Sequence, residues 1–142
     1  MRYLELCTLT DSQIADLLGL MKELNPEIPV TAQMQQRAVA APGTRIFVAE
    51  NDAKHIVGCA TLCVFESPSG RKASLEDVVV LPTYRGQGIG RTLLQRIIDF
   101  AGGKLSPIDL RLTSNPANLE ANALYLALGF KQRETNVYEM SL

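Results

Sequence analysis

The chain has 142 residues, 46% of them hydrophobic and 20% charged, which suits one compact domain, residues 1–142, with a substantial core and is too short for two ordinary ones. Its formal charge is −1 and its 14 Lys and Arg residues are scattered, so the basic patch that serves nucleic-acid binding is missing. No apolar run reaches the ~20 residues of a bilayer span, and Met1-Arg2-Tyr3-Leu4-Glu5 lacks the apolar stretch of a secretory signal; a cytoplasmic protein with a small-molecule partner and no membrane is expected.

In chain order, a first strand is predicted from Tyr3 to Thr8. Thr10-Asp11-Ser12-Gln13 then carries the Thr-x-x-Gln pattern of a capping box, and Ile14, Leu17, Leu18 and Met21 form one apolar stripe at helical spacing. Asn25-Pro26 and Pro29 end this helix near Leu24. Thr31 can cap a second helix to about Ala40, whose Gln33, Gln35, Gln36 and Arg37 leave little to bury, so loose packing is expected.

Strands at about Thr44–Glu50 and His55–Glu66, joined by Asn51-Asp52-Ala53-Lys54, predict a hairpin. After the turn Ser67-Pro68-Ser69-Gly70, Ala73–Leu81 is a strand whose run Val78-Val79-Val80-Leu81 predicts burial on both faces and a central place in the sheet. Ile89, Leu93, Leu94, Ile97 and Ile98 mark an amphipathic helix, with Gly102-Gly103 as a left-handed stop signal. Ile108–Thr113 is the next strand, parallel by the crossover rule. Asn115-Pro116 predicts the start of a last helix running to Gly129, and Phe130–Arg133 and Asn136–Met140 read as two closing strands. Their exposed edge could pair with a second copy, so a homodimer is on the table.

Cys7, Cys59 and Cys63 lack the paired spacing of a zinc site or a disulfide framework, and reduced, buried thiols are expected. His55, Cys59 and Cys63 follow one another at intervals of four residues on a predicted strand, about 13 Å each, too far for one ion to bridge, so no metal is expected.

The most informative stretch is Val80-Leu81-Pro82-Thr83-Tyr84-Arg85-Gly86-Gln87-Gly88-Ile89-Gly90, between a strand and a helix. Three alternate glycines remove Cβ atoms and expose consecutive amides, and the helix start adds free N–H groups, an arrangement suited to a pyrophosphate. The nucleotide-triphosphate loop pattern fails because no Gly-Lys-Ser/Thr follows, and the dinucleotide fingerprint fails because Arg91 stands where its third glycine belongs. What remains, Arg85-x-x-Gly88-x-Gly90 after Val78-Val79-Val80, resembles the acetyl-CoA-binding signature of the GNAT superfamily of N-acetyltransferases. Farther on, Asn118 to Phe130 resembles that superfamily's second signature, N-x-x-A-x-x-x-Y-x-x-x-G-F, so that the two together cover residues 73 to 130.

The resemblance implies an α/β fold with a mixed, mostly antiparallel sheet of six or seven strands flanked by about four helices. It implies that acetyl-CoA, as co-substrate, is held by Val78, Val79, Val80, Arg85, Gly86, Gln87, Gly88, Ile89, Gly90, Asn118 and Tyr125. It also implies that Tyr125 is the general acid: a phenol of pKa about 10 can protonate the leaving thiolate. The other reading of Tyr125 is packing on an alanine-rich helix.

Direct transfer needs a neutral amine, so something must take a proton. Glu76 and Asp77 are adjacent, strand alternation sends them to opposite faces, and Glu76 is the candidate base; its other reading is a salt-bridged or solvent-facing carboxylate. A backbone amide of Val79 or Val80 can hold the developing oxyanion if a bulge or splay frees it, and the resemblance implies such a splay. It further implies an acceptor site built over Leu24–Ala40. Glu76-Asp77-Val78-Val79-Val80 with Tyr84-Arg85-Gly86 is similar to small glucosamine-phosphate N-acetyltransferases, although the first 70 residues show no clear sugar-phosphate-binding set. The expected activity is acetyl transfer to the primary amine of a small molecule. The alternatives are a protein acetyltransferase and a non-catalytic acetyl-CoA sensor.

Overall fold

Thr10 accepts a hydrogen bond from the Gln13 amide while the Gln13 side chain accepts from the Thr10 amide, at 3.2 and 3.0 Å, so the first helix starts at a complete capping box. In the computed structural model, which describes residues 1–142, this helix is α1 (Asp11–Leu24) and follows strand β1 (Arg2–Leu6). Helix α2 (Ala32–Ala40) begins at Thr31, whose hydroxyl accepts from the Met34 amide. It buries only Gln35, in keeping with its polar sequence. Strands β2 (Thr44–Glu50), β3 (Ile56–Ser67) and β4 (Gly70–Val80) follow, then helix α3 (Ile89–Lys104), strand β5 (Asp109–Arg111) and helix α4 (Leu119–Ala127).

Residues Met1–Leu112 form one compact unit and Thr113–Leu142 another. In the first, the sheet runs β1-β2-β3-β4-β5, antiparallel except for the β4–β5 pair. Alternation gives the sheet two apolar faces. Ile46, Val48, Cys59 and Val79 join Leu17 and Leu20 of α1 in one core cluster. Other buried apolar positions, among them Leu62 and Leu75 of the sheet and Leu93, Leu94 and Ile97 of α3, complete the core. Each fully buried leucine is of the kind whose truncation to alanine costs about 2–5 kcal/mol.

Several expectations need correction. The sheet has five strands, not six or seven. Residues 130–142 adopt no regular structure, and Val137, Tyr138 and Met140 stay exposed, so no burial drives a closing hairpin there. The edge it was to offer a second subunit is lost with it. Strand β3, not β4, is central, and within the valine run only Val79 is buried, Val78 and Val80 being half-buried. Gly102 and Gly103 are interior residues of α3, because the buried Ile97 and Ala101 carry the helix past them to Lys104. Helix α4 starts at Leu119, four residues after Asn115: Asn115 instead takes the Ala117 amide in a local turn at 2.9 Å, and Asn118 becomes the N-cap. Cys7 is exposed, contrary to the expected burial, whereas Cys59 is buried. No helix is long and apolar enough to cross a membrane.

Candidate active site

The chain leaves β4 through a 3-10 turn at Pro82–Tyr84 and enters α3 at Ile89. Between them Gly86 and Gly88 have φ of +76° and +79°, the left-handed region that a side chain resists. Gly88 is the N-cap of α3, and its carbonyl accepts from both the amide and the hydroxyl of Thr92. The amides of Gly86, Gly88, Ile89 and Gly90 find no acceptor in the protein, while Arg85 and Gly86 form a turn closed by Gln87. Four unsatisfied donors at the positive end of a 16-residue helix form an anion-accepting surface, and the residues fit a pyrophosphate. Arg85 buttresses the loop: its Nε donates to the Val80 carbonyl at 2.9 Å and its guanidinium pairs with Glu23 at 3.3 Å. The Tyr84 hydroxyl accepts from Asn51 at 3.1 Å.

Upstream of the loop, β4 carries a bulge. Cys59 pairs with Val79 and Thr61 with Glu76, so Asp77 and Val78 together face the single residue Ala60. Asp77 has φ of +52°, a conformation that Asp tolerates better than most residues, and its carbonyl accepts from the Cys59 thiol at 3.4 Å. The extra residue overturns the expectation that Glu76 and Asp77 face apart: both line one cavity of about 350 Å3. The floor is sheet, with Cys59, Thr61 and Cys63, and the walls come from α1, α2 and their connection, including Leu24, Ile28, Met34 and Gln35. The stretch Leu24–Ala40 therefore supplies much of this cavity.

Asp77 keeps an open flank to solvent, yet the surrounding protein removes enough water to hold its carboxyl above the ordinary aspartate range, and the charge of Glu76 adds to the effect. Glu76 accepts a hydrogen bond from the Ser74 hydroxyl. Burial pushes the Cys59 thiol up to about 12, with Asp77 contributing, so it is an inert wall rather than a nucleophile. Strand β4 pairs with β5 only through Lys72, Ala73 and Ser74, so from Leu75 to Val80 it has no neighbour on that side. The stretch containing Val78, Val79 and Val80 is thus open along one edge.

In the second unit, the Asn118 side chain accepts from the Ala121 amide at 3.2 Å and caps α4. Tyr125 lies on α4 with its ring edge-on to Phe130 at 6.1 Å between centroids. Its phenol is pushed up by burial, which favours the protonated form.

A model of the acetyltransferase (GNAT) family matches residues 12–130. The chain belongs to this family. Among its GNAT relatives, a glucosamine 6-phosphate N-acetyltransferase of Trypanosoma brucei brucei is 31% identical over 141 residues, covering 92% of this chain and 91% of that protein. Glucosamine 6-phosphate N-acetyltransferase 1 of Oryza sativa subsp. japonica is 30% identical over 105 residues, 65% of this chain, and the match spans 64% of its length. Among solved structures, a putative acetyltransferase from Agrobacterium tumefaciens str. C58 superposes with a TM-score of 0.84 at 28% identity, covering 99% of this chain and 100% of that one. Strict strand alternation turns Asp77 away from the site of this GNAT chain. The signal that could have found it is an aspartate, a residue at ease with positive φ, preceding the valine run.

Proposed function

We propose that the protein transfers the acetyl group of acetyl-CoA directly to the primary amine of a small molecule, in a ternary complex. The observation that carries this reading is the set of unpaired amides at Gly86, Gly88, Ile89 and Gly90, in the loop that follows the strand whose two carboxylates line a cavity. Acetyl-CoA brings an activated thioester. The loop amides, with the α3 dipole, bind its pyrophosphate, and Val78, Val79 and Val80 lie along its arm, where a freed amide of Val79 or Val80 steadies the charge that grows on the carbonyl oxygen. Glu76 takes the ammonium proton, directly or through water, and Asp77 holds the amine in place by charge. Tyr125 gives its proton to the departing sulfur; a phenol is protonated at neutral pH, and burial favours that form further. Asn118 orders the start of the helix that carries Tyr125.

The test is amine-dependent release of free thiol from acetyl-CoA, compared between wild type and Tyr125→Phe. Loss of a general acid predicts a fall in kcat of about 10²-fold or more with acetyl-CoA binding retained. Acetyl-CoA binding without transfer to any amine would favour a sensor instead, and absence of binding would sink the proposal.

A further inference from the structure

The carboxylate-bearing cavity also constrains the acceptor, on the premise that the protein acetylates amines there. No Lys, Arg or His lines it. The guanidinium of Arg85 is engaged by Val80 and Glu23, and Arg37 lines an adjoining hollow that shares Met34 and Ala38 with the cavity. Within the cavity itself a phosphorylated acceptor would meet two carboxylates and no cation, and only Arg37 stands in the hollow next to it.

The walls point the other way. Leu24, Ile28 and Met34 stand at the cavity with 42%, 47% and 42% of their surface exposed, large apolar groups with no protein partner over them. An apolar ligand body would cover them and gain from it. At about 350 Å3 the space lies at the small end of the ~300–1,000 Å3 usual for ligand pockets, enough for one ring and a short arm. Glu76 and Asp77 give the charged end its counter-ions.

From this we infer that the acceptor is an unphosphorylated monocationic amine with an apolar body, of the arylalkylamine or short alkylamine class, and not an amino-sugar phosphate. Its ammonium lies at Glu76 and Asp77 and its apolar body against Ile28 and Met34. Transfer forms the N–C bond and breaks the C–S bond; one ammonium proton leaves for solvent by way of Glu76, and the second replaces the proton that Tyr125 gives to the coenzyme A sulfur.

The experiment compares 2-phenylethylamine with glucosamine 6-phosphate, by kcat/KM with acetyl-CoA and by calorimetric binding in the presence of coenzyme A. Wild type should favour 2-phenylethylamine at least tenfold. Ile28→Asp, and separately Met34→Glu, should each lower its kcat/KM at least tenfold through KM, with the KM for acetyl-CoA and the melting temperature unchanged. Equal or better use of glucosamine 6-phosphate, particularly if lost in Arg37→Gln, overturns the inference and leaves acetyl transfer standing. Tight binding of 2-phenylethylamine without turnover supports the inferred pocket and sinks the transfer reading. Binding of neither compound overturns the inference.

Discussion

Replacing Gly88 by alanine tests the backbone geometry on which the anion-accepting loop depends. Gly88 sits at φ +79° and ψ +11°, and a Cβ built there meets nothing within 4 Å, so the cost is conformational and not steric. A left-handed residue with a side chain costs about 1–2 kcal/mol, partly offset by the about 0.4–1 kcal/mol that alanine gains by restricting the unfolded chain. The expected net loss is about 1 kcal/mol. With an unfolding entropy of about 2.1 cal/mol/K per residue, a chain of this length should melt about 3 °C lower. Gly102→Ala is the matched control: it lies within α3, has no positive φ and likewise opens onto empty space, so alanine should stabilise by about 0.5–1 kcal/mol. Urea denaturation and thermal melting read both variants, and calorimetry reads acetyl-CoA affinity. Shifts of the same sign in the two variants would refute the reasoning. So would full stability of Gly88→Ala with unchanged affinity, because the loop would then not need its left-handed turn.

Asp77→Asn should raise stability at neutral pH. The folded protein holds the Asp77 proton more tightly than the unfolded chain does, so the wild type loses stability as pH rises through the ordinary aspartate value, about 3.9, to the higher folded one, and the deficit is constant above it. The advantage of asparagine should therefore vanish below the ordinary value, and a pH-independent difference in urea midpoint would contradict it. Thr10→Ala breaks the capping box and should cost about 1 kcal/mol in urea unfolding while leaving kcat/KM unchanged. A thiol-reactive dye should label exposed Cys7 quickly and Cys59 only after denaturation; fast labelling of Cys59 in the native protein would contradict its burial.

Features written in local chemistry were legible in the sequence. The capping box at Thr10 and Gln13, the cap at Thr31, the hairpin of β2 and β3, and the glycine loop each depend on neighbours a few residues apart. What escaped depends on distant partners. Gly102-Gly103 looks like a stop, yet the packing of Ile97 and Ala101 outweighs it. Asn115-Pro116 has the look of a helix start, yet Asn118 competes for the cap and holds it through Ala121. Phe130–Met140 carries strand-forming residues, but a strand also needs a partner and something to bury, which neighbouring residues do not reveal. The joint placement of Glu76 and Asp77 is invisible to strict alternation, because the extra residue is defined only against Ala60 on the neighbouring strand.

That extra residue works like a shift of reading frame. Ahead of it, even-numbered positions of β4 look toward the cavity, Glu76 paired with Thr61 and Ser74 with Cys63; beyond it an odd position, Val79, occupies that side and sits in the core against α1. Deleting Asp77 would force one half of the strand to turn over, either sending Glu76 to the opposite face or drawing Val79 out of the core. The positions of the carboxylates and the integrity of the core are therefore one property of this strand, and no single-residue insertion or deletion between Glu76 and Val79 can change one and spare the other.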